Sequence, residues 1–161
     1  MTVSAADYRG ALANLAGGVV VVTTSDGNGR PRGMTATAVC SVSIEPPLVM
    51  ACVHHEAATH RAIHDSGAFA LNLLPERSEA LARRFASSRP GKFEGLRTTP
   101  GETSAPILAD AMAHCDCTVE RAVDAGDHTI YIGRVVGVAY REGEDCPPLL
   151  YFRGGYRSIA P

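Results

Sequence analysis

The amino-acid sequence predicts a mainly β chain with a few helices, its strands rolled into an antiparallel barrel. Short β-branched or apolar runs of strand length recur along its whole length. They are joined by hairpin turns or short helices. They do not alternate with long helices, as a doubly wound parallel sheet requires. The chain has 161 residues, of which 45% are hydrophobic and 20% charged. That is enough for one domain, residues 1–161, with a real core.

Each element has its own signal. Ser4 is an N-cap residue before a helix over Ala5–Leu15, with Tyr8, Leu12 and Leu15 on one face. Val19–Thr24 is β-branched throughout and reads as a buried strand. Asp26-Gly-Asn-Gly29 makes a turn, and a returning strand starts at Arg32. Pro46-Pro47 breaks the chain before a short apolar strand, Leu48–Val53. A helix over Ala57–Asp65, a strand over Phe69–Leu73 and a helix over Arg77–Phe85 follow, the last with Leu81 and Phe85 at i,i+4 spacing. Ala86–Pro106 holds three prolines and three glycines and reads as a long surface excursion. Met112–Val123 and His128–Tyr140 form strands on either side of an Asp124–Asp127 turn, and Leu149–Phe152 is a last short strand.

Several function classes are disfavoured. The formal net charge of -2 argues against a nucleic-acid partner. No apolar run approaches the roughly 20 residues that span a bilayer, so no membrane partner is expected. The N-terminus lacks the basic and apolar regions of a secretion signal, so a cytoplasmic location is expected. The five cysteines, Cys40, Cys52, Cys115, Cys117 and Cys146, form no CxxC pair and read as reduced, mostly buried thiols. His60 and His64 stand at i,i+4 after His54-His55, but without the glutamate of an H-E-x-x-H pattern no metal site is predicted. Gly27, Gly29 and Gly33 have the wrong spacing for a dinucleotide fingerprint, and there is no phosphate-loop lysine.

The stretch that carries chemistry is Gly33–Leu48. Thr35, Ala36, Thr37, Ser41 and Ser43 bring small side chains and hydroxyls together. Small residues let a flat ring approach the backbone, whose N–H and C=O groups then match the ring's donors and acceptors. On composition alone the run fits a barrel-corner loop equally well.

A resemblance adds to this reading. Gly33-Met-Thr-Ala followed by Ser41-Val-Ser-Ile-Glu-Pro-Pro-Leu48 is similar to the signature of the short flavin reductases, which have the FMN-binding, Greek-key split β-barrel fold. The likeness runs on through Val20–Thr24, Thr59-His60, Phe69–Leu74, Phe85-Ala86 with Lys92-Phe93, Gly126–Gly133 and Pro148–Tyr156. It implies an NAD(P)H:flavin oxidoreductase that reduces FMN or FAD with NADH or NADPH. It also implies a homodimer that supplies reduced flavin to a partner monooxygenase. A flavin-binding protein without nicotinamide turnover is the alternative. An oxidase resembling those of pyridoxine phosphate, on the same fold, matches the motifs less well.

The resemblance also implies site residues. The flavin ring lies along Thr35, Ala36, Thr37, Ala38, Ser41, Val42 and Ser43, with Cys52 and Val53 on the neighbouring strand. The flavin phosphate meets the helix start near Thr59 and His60, and Phe85, Lys92 and Phe93 belong to the loop over the flavin. Glu56 would repel a phosphate there, so either it points away or the phosphate lies elsewhere. Asp127 and His128 face the nicotinamide, His128 as the positioning residue, and Tyr156 lines the same mouth. Ala38 and Val39 depart from the family's usual Ser or Asn and aromatic, which removes one flavin hydrogen bond.

Overall fold

A computed structural model describes residues 2–141 and 146–159. Helix α1 (Ala5–Leu12) is followed by β1 (Gly17–Gly18), β2 (Val20–Ser25), β3 (Pro31–Ala36), β4 (Val39–Ser43) and β5 (Leu48–His54). Then come α2 (Ala58–Ser66), β6 (Ala68–Leu73), a 3-10 turn (Glu76–Ser78) and α3 (Glu79–Ala86). The chain continues with β7 (Thr98–Pro100), β8 (Pro106–Leu108), β9 (Ala113–Ala125), β10 (His128–Tyr140), β11 (Leu150–Phe152) and β12 (Gly155–Arg157).

Seven strands form one sheet in the order β3-β2-β6-β9-β10-β5-β4, and every neighbouring pair is antiparallel. Its two edge strands, β3 and β4, are consecutive in sequence and joined only by Thr37 and Ala38. The three steps from Ala36 to Val39 span at most about 11 Å, so the ends of the sheet lie close together. The Cys52 N–H donates to the Ala38 carbonyl at 2.9 Å and ties this corner to β5. The sheet therefore rolls into a barrel whose β3/β4 seam carries no strand pairing among the described residues. This is the mainly β, split-barrel architecture expected from the sequence.

β2 explains why the barrel has a second core outside it. Val20 and Val22 point inward, to Ala51, Val53, Ile63, Phe69, Leu71, Cys117 and Tyr131. Val19 and Val21, one step out of phase, pack with Leu74, Leu108 and Leu149 against Ala82 and Phe85 of α3. Each fully buried Val or Phe contributes about 1.5–3 kcal/mol, so the unbroken valine run holds α3 and the barrel to one strand. Gly133 of β10 lies across Phe69: a Cβ there would stand 2.5 Å from the Phe69 Cζ.

Besides β1, β4 and β12, for which the sequence announces no strand, other features differ from the sequence reading. The first helix stops at Leu12, because the Asn14 amide folds back to the Gly10 carbonyl at 2.9 Å. The face with Tyr8, Leu12 and Leu15 is exposed. The Arg77–Phe85 helix begins instead as the 3-10 turn. The Ala86–Pro106 excursion contains β7, which hairpins onto β8. Two buried polar side chains hold that hairpin in place. The Asn72 carbonyl accepts the Leu108 N–H at 2.8 Å. The Asp116 carboxylate accepts the Thr103 N–H at 2.8 Å and its hydroxyl at 2.5 Å.

Candidate functional site

A cleft of about 730 Å³ lies between β3, the start of α2 and the loop after α3. Its wall at α2 is built from a helix start without a cap. Ala57 is extended (φ -69°, ψ 131°) and no side chain bonds back to the first turn. The first-turn amides and the positive end of the helix dipole therefore meet the cleft beside Ala57, Ala58 and Thr59.

The floor is Gly33. A Cβ there would stand 2.8 Å from Phe85 Cε1 and 3.2 Å from Phe93 Cζ. Phe85 and Phe93 meet edge to face at 5.0 Å and 82°. The loop is moored by two cations. Lys92 Nζ donates to the Phe85 carbonyl at 2.9 Å and the Gly33 carbonyl at 3.3 Å. Arg84 Nη2 donates to the Gly91 carbonyl at 3.0 Å and the Glu94 carbonyl at 2.5 Å. Burial pushes the Lys92 ammonium pKa down from its usual value. The cleft carries the cations Arg32, Arg89 and Lys92 and the carboxylates Glu56 and Glu94. Arg32 is paired with Asp26 at 2.9 Å.

A second polar cluster sits where β5 meets β10. His54 and His128 are cross-strand partners, with ring centroids 5.0 Å apart at 86°. Asp127 Oδ1 is 2.6 Å from His128 Nδ1, and Oδ2 is 3.7 Å from His54 Nε2. The His128 hydrogen bond holds the Asp127 carboxyl below its usual pKa. Behind them His60 Nε2 bonds the Thr129 hydroxyl at 2.9 Å, and the Tyr131 hydroxyl donates to the His60 carbonyl at 3.2 Å. Burial, with His55 and His64 nearby, keeps the His60 ring below its usual pKa and so favours its neutral form.

The structure sorts the residues singled out in the sequence. Thr35, Thr59, Phe85, Lys92 and Phe93 come together on the cleft, although the Thr35 hydroxyl is engaged with the Ala82 carbonyl at 2.6 Å. Thr37, Ala38, Ser41, Val42 and Ser43 run along the seam beside it, largely exposed. Ala36 and Val53 turn their side chains inward, sealed in the core, which leaves their backbones to meet a ligand. Cys52 is half-buried, and desolvation raises its thiol pKa. His60 is turned to β10 rather than to the cleft. Asp127 and His128 form the second cluster. Tyr156 is a correction: it lines a hollow beside the cleft with Arg83, Ser87 and Tyr151, not the mouth formed by Asp127 and His128. Glu56 stands on the cleft wall. Sequence reasoning missed Arg89, Ser87 and Ser88 on the loop and His54 beside His128. The polar Ser87-Ser88-Arg89 run was the available signal for the loop; only strand register reveals His54.

An open antiparallel barrel with a charged nucleotide-sized cleft at a small-residue seam defines a class of cofactor-binding β proteins. The flavin reductase like domain model matches residues 12–160. The chain is 42% identical over 141 residues to the flavin reductase (NADH) of Kitasatospora aureofaciens, covering 86% of this chain and 73% of that protein. It is 37% identical over 154 residues to the HsaB reductase subunit of a flavin-dependent monooxygenase from Rhodococcus jostii, covering 96% and 77%. The structure superposes with a TM-score of 0.89 on the NADH:FAD oxidoreductase SgcE6 of Streptomyces globisporus in complex with NAD and FAD fragments. That match has 34% identity and covers 97% of this chain and 93% of that one. The chain belongs to the flavin reductase-like family.

Proposed function

We propose that this chain is an NADH:flavin oxidoreductase that reduces FMN or FAD and passes the reduced flavin to a flavin-dependent monooxygenase. The observation that carries the reading is the junction of the uncapped α2 start with the small-residue seam, in a chain of this family. The relatives named for NADH and for a monooxygenase subunit support both halves of it. The flavin supplies the hydride acceptor and the nicotinamide the donor; the protein contributes binding, orientation and electrostatics.

The residues fit that task. The first-turn amides of α2, the Thr59 hydroxyl, Lys92 and Arg89 receive the flavin phosphate in the cleft. Gly33 leaves room beside Phe85 and Phe93. Thr37, Ala38, Ser41, Val42 and Ser43 line the ring with small or extended residues, and Ala36, Cys52 and Val53 support that bed through the backbone. Asp127 and His128 hold the nicotinamide.

The chain works as a single domain, supported by the family match across residues 12–160. It works as a homodimer: Val42, Ile44, Val136, Val138 and Tyr140 leave apolar surface exposed on β4, just after it, and on the far half of β10. A cytoplasmic location follows from the NADH it consumes. No described helix is long and apolar enough to cross a membrane.

The test is to mix the purified protein with NADH and catalytic FMN or FAD and follow the NADH absorbance. Steady consumption that depends on added flavin is the expected result. A tightly yellow protein that leaves NADH untouched would replace the reductase with a flavin-binding protein.

A further inference from the structure

We propose that His54 is a positioning residue for the nicotinamide, acting through Asp127 on His128. The inference rests on the reading that places the nicotinamide at His128.

The argument is one of register and tautomers. His54 and His128 are paired across β5 and β10, so both side chains leave the same face of the sheet. Their rings meet edge to face at 5.0 Å. The Glu56 N–H donates to His54 Nδ1 at 3.1 Å. In the neutral ring Nδ1 is then the acceptor, and the proton sits on Nε2. Nε2 faces Asp127 Oδ2 at 3.7 Å. The other carboxylate oxygen stands 2.6 Å from His128 Nδ1, so in neutral His128 the carboxylate holds the proton on that nitrogen. His128 Nε2 is thereby left as an acceptor, the group that a carboxamide N–H of nicotinamide requires.

Asp127 itself is highly exposed, with a side-chain exposure of 77%, and its rotamer needs holding. Its backbone is fixed, since the His55 N–H donates to the Asp127 carbonyl at 3.0 Å. Its side chain is held by the His128 hydrogen bond and by its own backbone N–H, with His54 Nε2 in a looser polar contact at 3.7 Å. Removing His54 loosens the carboxylate and with it the orientation and tautomer of His128.

The experiment compares His54→Phe, His54→Gln, His128→Ala and the His54→Phe/His128→Ala double variant under one set of conditions. Phenylalanine keeps the ring contact and loses the donor; glutamine keeps a donor within reach of Asp127. We expect His128→Ala to raise the KM for NADH about ten-fold and His54→Phe about three- to five-fold, the size of a surface-exposed pairing. Flavin Kd and kcat stay within about two-fold in the His54 variants, and His54→Gln stays near the native KM. The double variant is no worse than His128→Ala alone, because both changes act on one chain of contacts.

A native KM in His54→Phe, or effects that multiply in the double variant, overturns the role of His54 while leaving His128 in the site. An unchanged KM in His128→Ala overturns the placement of the nicotinamide itself, and the proposal with it. A His54→Phe protein that does not fold is replaced by His54→Ala, read by the same outcomes. A fall in kcat and melting temperature with KM unchanged would assign His54 a structural role only.

Discussion

Gly33→Ala should damage the cleft through its floor. The new methyl would stand 2.8 Å from Phe85 Cε1, 3.0 Å from Phe85 Cδ1 and 3.2 Å from Phe93 Cζ. Carbon atoms in good contact sit about 3.5–4.0 Å apart, so the site is too short by roughly half an ångström or more. Phe85 is 1% exposed and packed among Ala82, Leu108 and Leu149, so its ring can tilt only toward Phe93. Phe93 is only half-buried on the loop and is the side that yields. Its movement stretches the Lys92 bond to the carbonyl of Gly33 itself. Overpacking of this kind costs about 1–3 kcal/mol. In a chain of this length each kcal/mol lowers Tm by about 2–4 °C. Because the displaced loop carries Lys92 and Arg89, flavin Kd should rise about ten-fold, the equivalent of 1.4 kcal/mol. Thermal unfolding and a fluorescence titration with FMN read the two effects, and Phe93→Leu in the same chain should recover part of both. An alanine variant that melts within about a degree of the native protein and binds flavin equally well would refute the close-packed floor.

Lys92→Met keeps the apolar stem but deletes the ammonium that bridges Gly33 and Phe85. It should weaken flavin binding by about ten-fold or more, since hydrogen bonds to charged groups are worth about 1.5–3 kcal/mol before solvent screening. Burial has lowered the Lys92 pKa, so the cationic contact is lost at a lower pH than an exposed ammonium would lose it. It is lost as pH rises through a midpoint below 10.5, and a pH series of flavin titrations should show a step there that the methionine variant lacks. Alkylation at pH 8 should modify the exposed Cys40 well before Cys117, whose burial pushes its thiol up to about 12. Saturating FMN should slow the labelling of Cys40 if the ring lies along Thr37–Ser43; peptide mass spectrometry showing equal rates with and without flavin would move the ring elsewhere.

What could be read from the chain follows from whether each signal is local. The valine run of β2 is legible because both of its faces are buried, which requires β-branched residues at every step. The β9–β10 hairpin is legible because Gly126 takes φ +67° in the turn between two apolar runs. β4 has no such mark. It is an edge strand with Cys40, Ser41 and Val42 exposed, so no alternation of apolar and polar residues announces it. β7 and β8 owe their place to Asn72 and Asp116, two buried partners on distant strands, and nothing within the excursion reveals them. The same division holds in the site. Thr59 and Phe85 lie where a helix begins and ends, positions that sequence signals reach. Arg89 and His54 depend on a loop path and a strand register, which are tertiary facts.

The open seam connects fold to turnover. In a closed barrel the edge N–H and C=O groups of β3 and β4 would bond to each other. Here the two strands meet only through Thr37 and Ala38, and the unspent backbone groups need a partner. Small residues such as Thr37, Ala38, Ser41 and Ser43 leave those groups uncovered. The neighbouring cleft sets Glu56 and Glu94 among Arg32, Arg89 and Lys92, with Arg32 already held by Asp26. Its attraction for a phosphate is therefore partly cancelled. A protein that must release its flavin after each reduction needs that balance: a bed specific enough to align a ring, and a phosphate grip weak enough to let it go. Glu56→Gln should accordingly tighten flavin while slowing its release. A stopped-flow measurement in which the dissociation rate is unchanged would remove Glu56 from that balance.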